Sequence, residues 1–436
     1  MYNLAEKALK AATKYGAKEA EVYIIESQKT SVNIQKDLIE GAKESITTGI
    51  GIRAIINGAI GFASTNKMSL IDEAAKNAVS SAKIQDSNPE WKSLPSNQKY
   101  ATVSGIMDEQ IKNMELDDCI GHTMEMIESA KNTAGIIVTS GSFGRSHGKR
   151  LILNTNGVEV SEEGTGVSGF VDVITSSGET STAYDFAISR SNDIDFTSIG
   201  KNAAELAKMS QNTISVEPHK TEVIIHPFAF SDLIENAFMP SIDADNVQKG
   251  RSNLIGKKDE IIANEKLSIY DDGLLEGGIE TGIADDEGVA SQKTTVIENG
   301  TFMSYLYDTY TAGKDGVEST GNASRNSYLS TPSVGPRNFI IDFPKCDVIA
   351  DTDSGVYVNT VIGAHTANGI SGDFSVEARN AFTIKDGKLD KPIKSLMISG
   401  NIFDMLKNIN GAGTDVRKVG GTITSSIRVA DMSVIG

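Results

Sequence analysis

The stretch VIIHPFAFSDLIENAFMPSIDADNVQKGRS, residues 223–252, is where the character of the chain changes. An apolar β-branched run ends there at His226-Pro227, and the polar segment SVEPHK just upstream places a domain boundary near residue 218. From Thr221 onward the sequence is rich in glycine and strand formers, and helices become sparse. The organisation read from this is an N-terminal α+β domain over 1–217 and a C-terminal β-rich domain over 218–436. His226 is the only histidine in the stretch, and it reads as the polar end of a strand. A catalytic zinc needs about three nitrogen, sulfur or carboxylate ligands, an open position for water and a base beside it.

Working back from the boundary, IGKNAAELAKM gives a helix over about 196–210 that closes the N-terminal part. Before it comes a strand meander, GIIVTSGSFGRS, KRLILNTNG, VEVSEEG, GVSGFVDVIT and TAYDFAISRS, preceded by a helix over about 108–132. Residues 84–105, with Pro89, Trp91 and Pro95, break the periodicity and read as a connector. Ser69 with Asp72 marks the start of a capped helix, and TTGIGIRAIINGAIGFAST is a hairpin turning at Asn57-Gly58. EVYIIES and TSVNIQ alternate as strands. Leu4, Ala8, Leu9, Ala12 and Tyr15 recur at helical spacing, with Gly16 as the stop. Forward from the boundary, TTVIENGTFMSYLY is a second hairpin through Asn299-Gly300, and NIFDMLKNI is the clearest late helix. The fold class is α+β.

Composition narrows the function. A formal charge of −17 over 436 residues argues against a nucleic-acid partner, which would require dense Lys/Arg surface. Nothing approaches the ~20 apolar residues of a membrane span, so a cytoplasmic protein without a membrane partner is expected. Cys119 and Cys346 are too few and too scattered for a disulfide framework or a metal knuckle, and read as inert thiols.

GTGVSG, Gly164–Gly169, has dinucleotide-loop spacing, but strand alternation follows it where a helix N-terminus is needed. No P-loop and no G-x-S-x-G elbow occurs. His122, His147, His219, His226 and His365 include no pair at the spacing of one helical face. The carboxylate groups Asp271-Asp272 and Asp285-Asp286-Glu287 have the chemistry to hold a hard cation or an amino group, yet lack the EF-hand pattern. Solvated turns are their simpler reading.

NTNGVEVSEEGTG, the DDG and DDEG groups, SYLYDTYTA, GVESTGNASRNSYLSTPSVGPRNFII, and the run from GISGDFSVEARNAF to ISGNIFDMLKNI resemble, in order and spacing, the TldD/PmbA family. The likeness extends over essentially the whole chain, and STGNASR and GDFSVEARNAF are similar to its PmbA (TldE) branch. The resemblance implies a two-domain α+β fold whose C-terminal domain is a curved, barrel-like β structure. It also implies a dimer, in which a zinc-bearing TldD subunit and a metal-free TldE subunit form a cytosolic metalloprotease for flexible peptides. Where TldD carries His-Glu-x-x-x-His on a helix, this sequence has Glu235, Asn236 and Pro240. Where TldD has a cysteine ligand near its C-terminus, the tail GAGTDVRKVGGTITSSIRVADMSVIG has none.

The implied reading is a degenerate metallopeptidase domain with no catalytic residue, metal ligand or cofactor of its own, the zinc belonging to a TldD-like partner. Its partners are then that subunit or a second copy, together with a peptide substrate. His226, Asp285, Asp286, Glu287, Asn322 and Arg325 are candidates for peptide or interface contacts. Two alternatives stay open. One is a stand-alone homodimeric metallopeptidase using Asp271, Asp272, Asp285 or His226; the other is a non-enzymatic peptide-binding protein. Gly369, Gly372 and Gly400 mark either close backbone approach or barrel bends.

Overall fold

In the computed structural model, which describes residues 1–436, α1 (Tyr2–Tyr15) buries Ala5, Ala8, Ala11 and Ala12 and stops at Gly16, whose φ of 108° is left-handed. The rest of the N-terminal half comprises β1 (Glu19–Gln35), β2 (Leu38–Ile56), β3 (Ala59–Thr65), α2 (Ile71–Ile84), α3 (Glu109–Lys112), α4 (Leu116–Lys131), β4 (Ile136–Asn154), β5 (Glu159–Thr175), β6 (Thr182–Ser189) and α5 (Phe196–Met209). The strands form one antiparallel sheet in the order β3-β2-β1-β4-β5-β6. Helices cover one face only. Val22 and Ile24 pack under α1 and α2, and Val32 and Ile34 under α4 and α5. Tyr23, between Val22 and Ile24, points the other way, toward Ala284 of the C-terminal half.

The strands are longer than the sequence pattern suggests. EVYIIES and TSVNIQ are one strand, and the five meander segments are three. Polar interruptions such as Gln28-Lys29 and His147-Gly148 stay paired across the ladder, so they do not end a strand. The Asn57-Gly58 turn is present with φ 51° and 78°. An equivalent turn at Lys36-Asp37 has φ 50° and 63° without glycine, and Asp37 Oδ1 accepts from the Val138 amide at 2.8 Å. The helix expected over 108–132 is broken at residues 113–115, where Glu115 and Asp118 form a capping box. Ser69 caps nothing: α2 begins after Leu70 with no side-chain cap.

The second half contains β7 (His219–Ile225), α6 (Pro227–Leu233), a π-helical turn (Ile234–Phe238), α7 (Met239–Ile242), α8 (Ala244–Gln248), β8 (Ser268–Asp272), β9 (Lys293–Glu298), β10 (Thr301–Phe302), α9 (Thr309–Asp315), β11 (Ala323–Ser324) and β12 (Ser333–Val334). Then come β13 (Phe339–Asp342), β14 (Ser354–Ile362), β15 (Asp373–Lys385), β16 (Lys388–Ile393), β17 (Leu396–Asn401), α10 (Ile402–Lys407), β18 (Ile409–Ala412), β19 (Arg417–Val419), β20 (Thr422–Thr424) and β21 (Ile427–Ile435). Strands β14, β7, β21, β17 and β15 close into a five-stranded barrel, because β15 pairs back onto β14. A second sheet, β10-β9-β8-β13-β20-β19, shares its core, where Phe230 and Phe238 of the α6 segment meet Phe302 and Phe339. The fold is thus α+β with a closed C-terminal barrel.

Gly369 and Gly372 lie in the loop before β15. A Cβ on Gly369 would stand 3.0 Å from Pro240, and one on Gly372 (φ 83°) 2.8 Å from Phe403, so both are close-packing positions.

Candidate functional site

α6 starts immediately after strand β7, with Pro227 in its first turn, where the missing N–H costs nothing. His226 is the N-cap: its Nδ1 accepts from the Phe228 amide at 3.3 Å. Burial, reinforced by the Arg417 charge and partly opposed by Asp415, pushes the His226 pKa down to about 4, so the ring is a neutral cap. The helix then widens into the π-turn at residues 234–238 and restarts at Met239, which leaves Pro240 at the head of a new turn.

That break forms part of the wall of a cavity of about 690 Å³. Glu235 and Pro240 line it; Asn236 does not, and its amide turns back to the Asp232 carbonyl at 2.8 Å. Glu235 is exposed, and its Oε1 accepts from Ser231 Oγ at 3.0 Å and Thr422 Oγ1 at 3.1 Å. Nearby Asp232 is pushed up to about 6, first by burial and then by the Glu235 charge. No three His, Cys, Asp or Glu side chains anywhere in the chain converge in a way that would hold a metal ion.

The two acidic groups are not solvated turns. Asp271, Asp285 and Glu287 are buried, the last with no exposed surface, while Asp272 and Asp286 are partly covered. The partners of Glu287 and Asp286 come from the helix-free face of the N-terminal sheet. Arg53 pairs with Glu21 at 2.6 Å and Glu287 at 2.7 Å; Arg150 pairs with Glu162 at 2.6 Å and Asp286 at 2.5 Å. Arg325 reaches Glu21, donates its backbone amide to Asp286 at 2.8 Å and lies over the Tyr23 ring at 5.0 Å. Asn322 donates to Asp271 at 2.6 Å.

Asp285 accepts three backbone amides, from Glu287, Val289 and Ala323, while burial and the adjacent Glu287 push its pKa up. Burial would also raise Glu287, but the Arg53 charge and the Thr309 amide outweigh it and hold its pKa low.

Five of the six candidates, Asp285, Asp286, Glu287, Asn322 and Arg325, therefore come together at the junction of the two halves, with Arg325 also reaching the large cavity. His226 stands apart from them. Sequence reading missed Glu21, Arg53 and Arg150. No local signal marks them: a charge beside an apolar residue, Glu21 beside Val22 and Arg53 beside Ile52, is the ordinary alternation of a sheet with one face in water, whereas here both are buried.

Residues 20–82, 109–211 and 218–436 match, in order, domain 1, the central domain and the C-terminal domain of the PmbA/TldA metallopeptidases. An uncharacterized protein of Methanocaldococcus jannaschii is 38% identical over 97% of this chain and 97% of its own length. A metalloprotease of the same organism is 25% identical, covering 91% of this chain and 90% of that protein. The crystal structure of TldE from Thermococcus kodakarensis superposes with a TM-score of 0.94 at 26% identity, over 99% of this chain and 100% of that one. With all three domains matched in sequence and the barrel and sheet matched in space, the chain belongs to the PmbA/TldD metallopeptidase family.

Proposed function

We propose that this chain is the TldE-like, non-catalytic subunit of a cytosolic zinc metalloprotease that acts on flexible peptides. It pairs with a TldD-like subunit that carries the zinc, and contributes peptide-binding surface and closure of the chamber. The observation that carries this reading is the environment of Glu235. It faces a large cavity at the family's zinc-helix position, yet its polar neighbours are the hydroxyls of Ser231 and Thr422. Hydroxyl oxygens with one carboxylate do not make the nitrogen- and sulfur-rich set that zinc selects. Asn236, which follows Glu235 on the helix, turns away from the cavity, and its amide is no base.

The pairing is supported by the neighbours in sequence. M. jannaschii holds at least two relatives of this chain, an uncharacterized protein 38% identical and a metalloprotease 25% identical. Likeness to TldE over the full chain favours the accessory role.

The test is a peptidase assay on an unfolded peptide, with this chain alone, a co-expressed TldD-like partner alone, and the purified pair. The proposal expects activity from the pair exceeding that of either component, and none from this chain alone. Turnover by this chain alone would establish the stand-alone peptidase. Peptide binding by a chain that neither captures nor stimulates such a partner would establish the pure binder.

A further inference from the structure

We propose that the cleft between the two halves contains a carboxylate-binding site, built from Lys29, Arg190 and Arg337, that takes the C-terminal carboxylate of an extended peptide and thereby fixes its direction. This rests on the peptide-surface reading above and specifies it.

Three cavities join along the cleft. The 690 Å³ cavity shares Glu280 and Arg337 with a second of about 370 Å³, which in turn shares Lys29, Ser146 and Arg190 with a third of about 350 Å³. The floor is the helix-free face of the N-terminal sheet. There Gly144, Ser146 and Gly148 of β4 stand beside Ser168, Gly166 and Gly164 of β5, and Lys29 of β1 stands opposite Ser146. Glycine and serine at alternate positions leave room for a chain to lie along the strands.

Charge along the cleft is sorted. Arg53, Arg150 and Arg325 each bond carboxylates, and Arg150 occupies both Glu162 and Asp286. Arg337 and Arg190 have neutral partners only. Arg337, 8% exposed, donates from Nε to the Glu280 carbonyl at 2.8 Å and from Nη1 to the Ala284 carbonyl and Ser291 Oγ, while Nη2 is unpartnered at the join of two cavities. Arg190 donates to the carbonyls of Ile106 and Ile279. Lys29 is exposed and unbonded.

Neither guanidinium makes a direct hydrogen bond to a carboxylate, so an arriving carboxylate gains charge-assisted bonds that no residue of the chain already supplies. Burial does lower the Arg190 pKa. Two exposed carboxylates without a partner, Glu26 and Glu280, also line this cavity, and their charge opposes an arriving anion. At the opposite end the large cavity presents Glu235 and Asp243, which suits an amino terminus.

The test is fluorescence anisotropy with the full chain and three forms of one labelled peptide: free acid, C-terminal amide, and amide with an internal glutamate. The free acid is expected to bind about tenfold tighter than the amide, the scale of one charge-assisted contact. Arg190→Gln and the exposed Lys29→Gln should each remove most of that difference and leave amide binding unchanged. Glu280→Gln should tighten the free acid alone. Recovery of affinity by the internal glutamate would overturn the terminus assignment in favour of a side-chain carboxylate. Equal binding of acid and amide would overturn the site while sparing the peptide surface. Binding of no form, with or without a TldD-like partner, would overturn both.

Discussion

Replacing His226 with asparagine removes a group whose protonation folding opposes. In the native chain the ring is held at about 4 by burial and the Arg417 charge, against an ordinary value near 6.5. Between those values the unfolded chain binds a proton that the folded chain refuses, so stability falls as pH drops through this window and levels off below about 4. The full shift corresponds to about 3 kcal/mol at about 1.4 kcal/mol per pH unit, of which about 2.5 kcal/mol is already lost at pH 4.5. Asparagine is a strong N-cap and can accept from the Phe228 amide without titrating, so the cap survives.

Urea denaturation of both proteins, followed by far-UV circular dichroism at about pH 7.5 and about pH 4.5, reads the difference. Asp271, raised to about 6 chiefly by burial, acts with the opposite sign, gaining stability as pH falls, but both proteins carry it and it cancels in the comparison. The variant should lose about 2.5 kcal/mol less than the parent on acidification. Equal losses in the two proteins would refute the assignment of a buried neutral cap.

Arg53→Met strands Glu287, which has no exposed surface, and should cost about 3–5 kcal/mol in urea denaturation; adding Glu287→Gln should restore part of it. A loss under about 1 kcal/mol would mean that the junction network does not hold the halves together. Gly200→Ala places a Cβ 2.0 Å from the Met126 carbonyl oxygen where α5 crosses α4, and should cost about 1–3 kcal/mol by forcing the helices apart. An unchanged melting temperature would contradict that close approach. Glu235→Gln keeps an acceptor for Ser231 and Thr422, so assembly with a TldD-like subunit and peptidase activity of the pair should persist. Loss of activity with intact assembly would mean that the carboxylate takes part in catalysis.

Local chemistry was readable along the sequence. Helical spacing located α1 and α5, two-residue alternation gave the apolar face of β1, and Asn57-Gly58 and Asn299-Gly300 gave their hairpins. What escaped was non-local. The polar stretches inside β1 and β4 look like loops until their ladder partners are known. The acidic group near residue 285 looks solvated until Arg53 and Arg150 arrive from strands more than a hundred residues earlier, and Asp271 until Asn322 and the Arg337 amide reach it. Barrel closure depends on β7 pairing with β14 and β21, strands more than a hundred residues later, which no local pattern encodes. At the candidate site, the residue types Glu235, Asn236 and Pro240 could be read as a poor zinc set. The π-turn that exposes Glu235 while turning Asn236 away could not.

As the proposed accessory subunit, this chain would supply no zinc centre of its own. Elemental analysis of the purified chain after dialysis against zinc-containing and then metal-free buffer tests it directly. The account predicts zinc far below one equivalent per chain. Zinc retained at one equivalent, and released by a chelator with loss of peptidase activity measured on this chain alone, would contradict it.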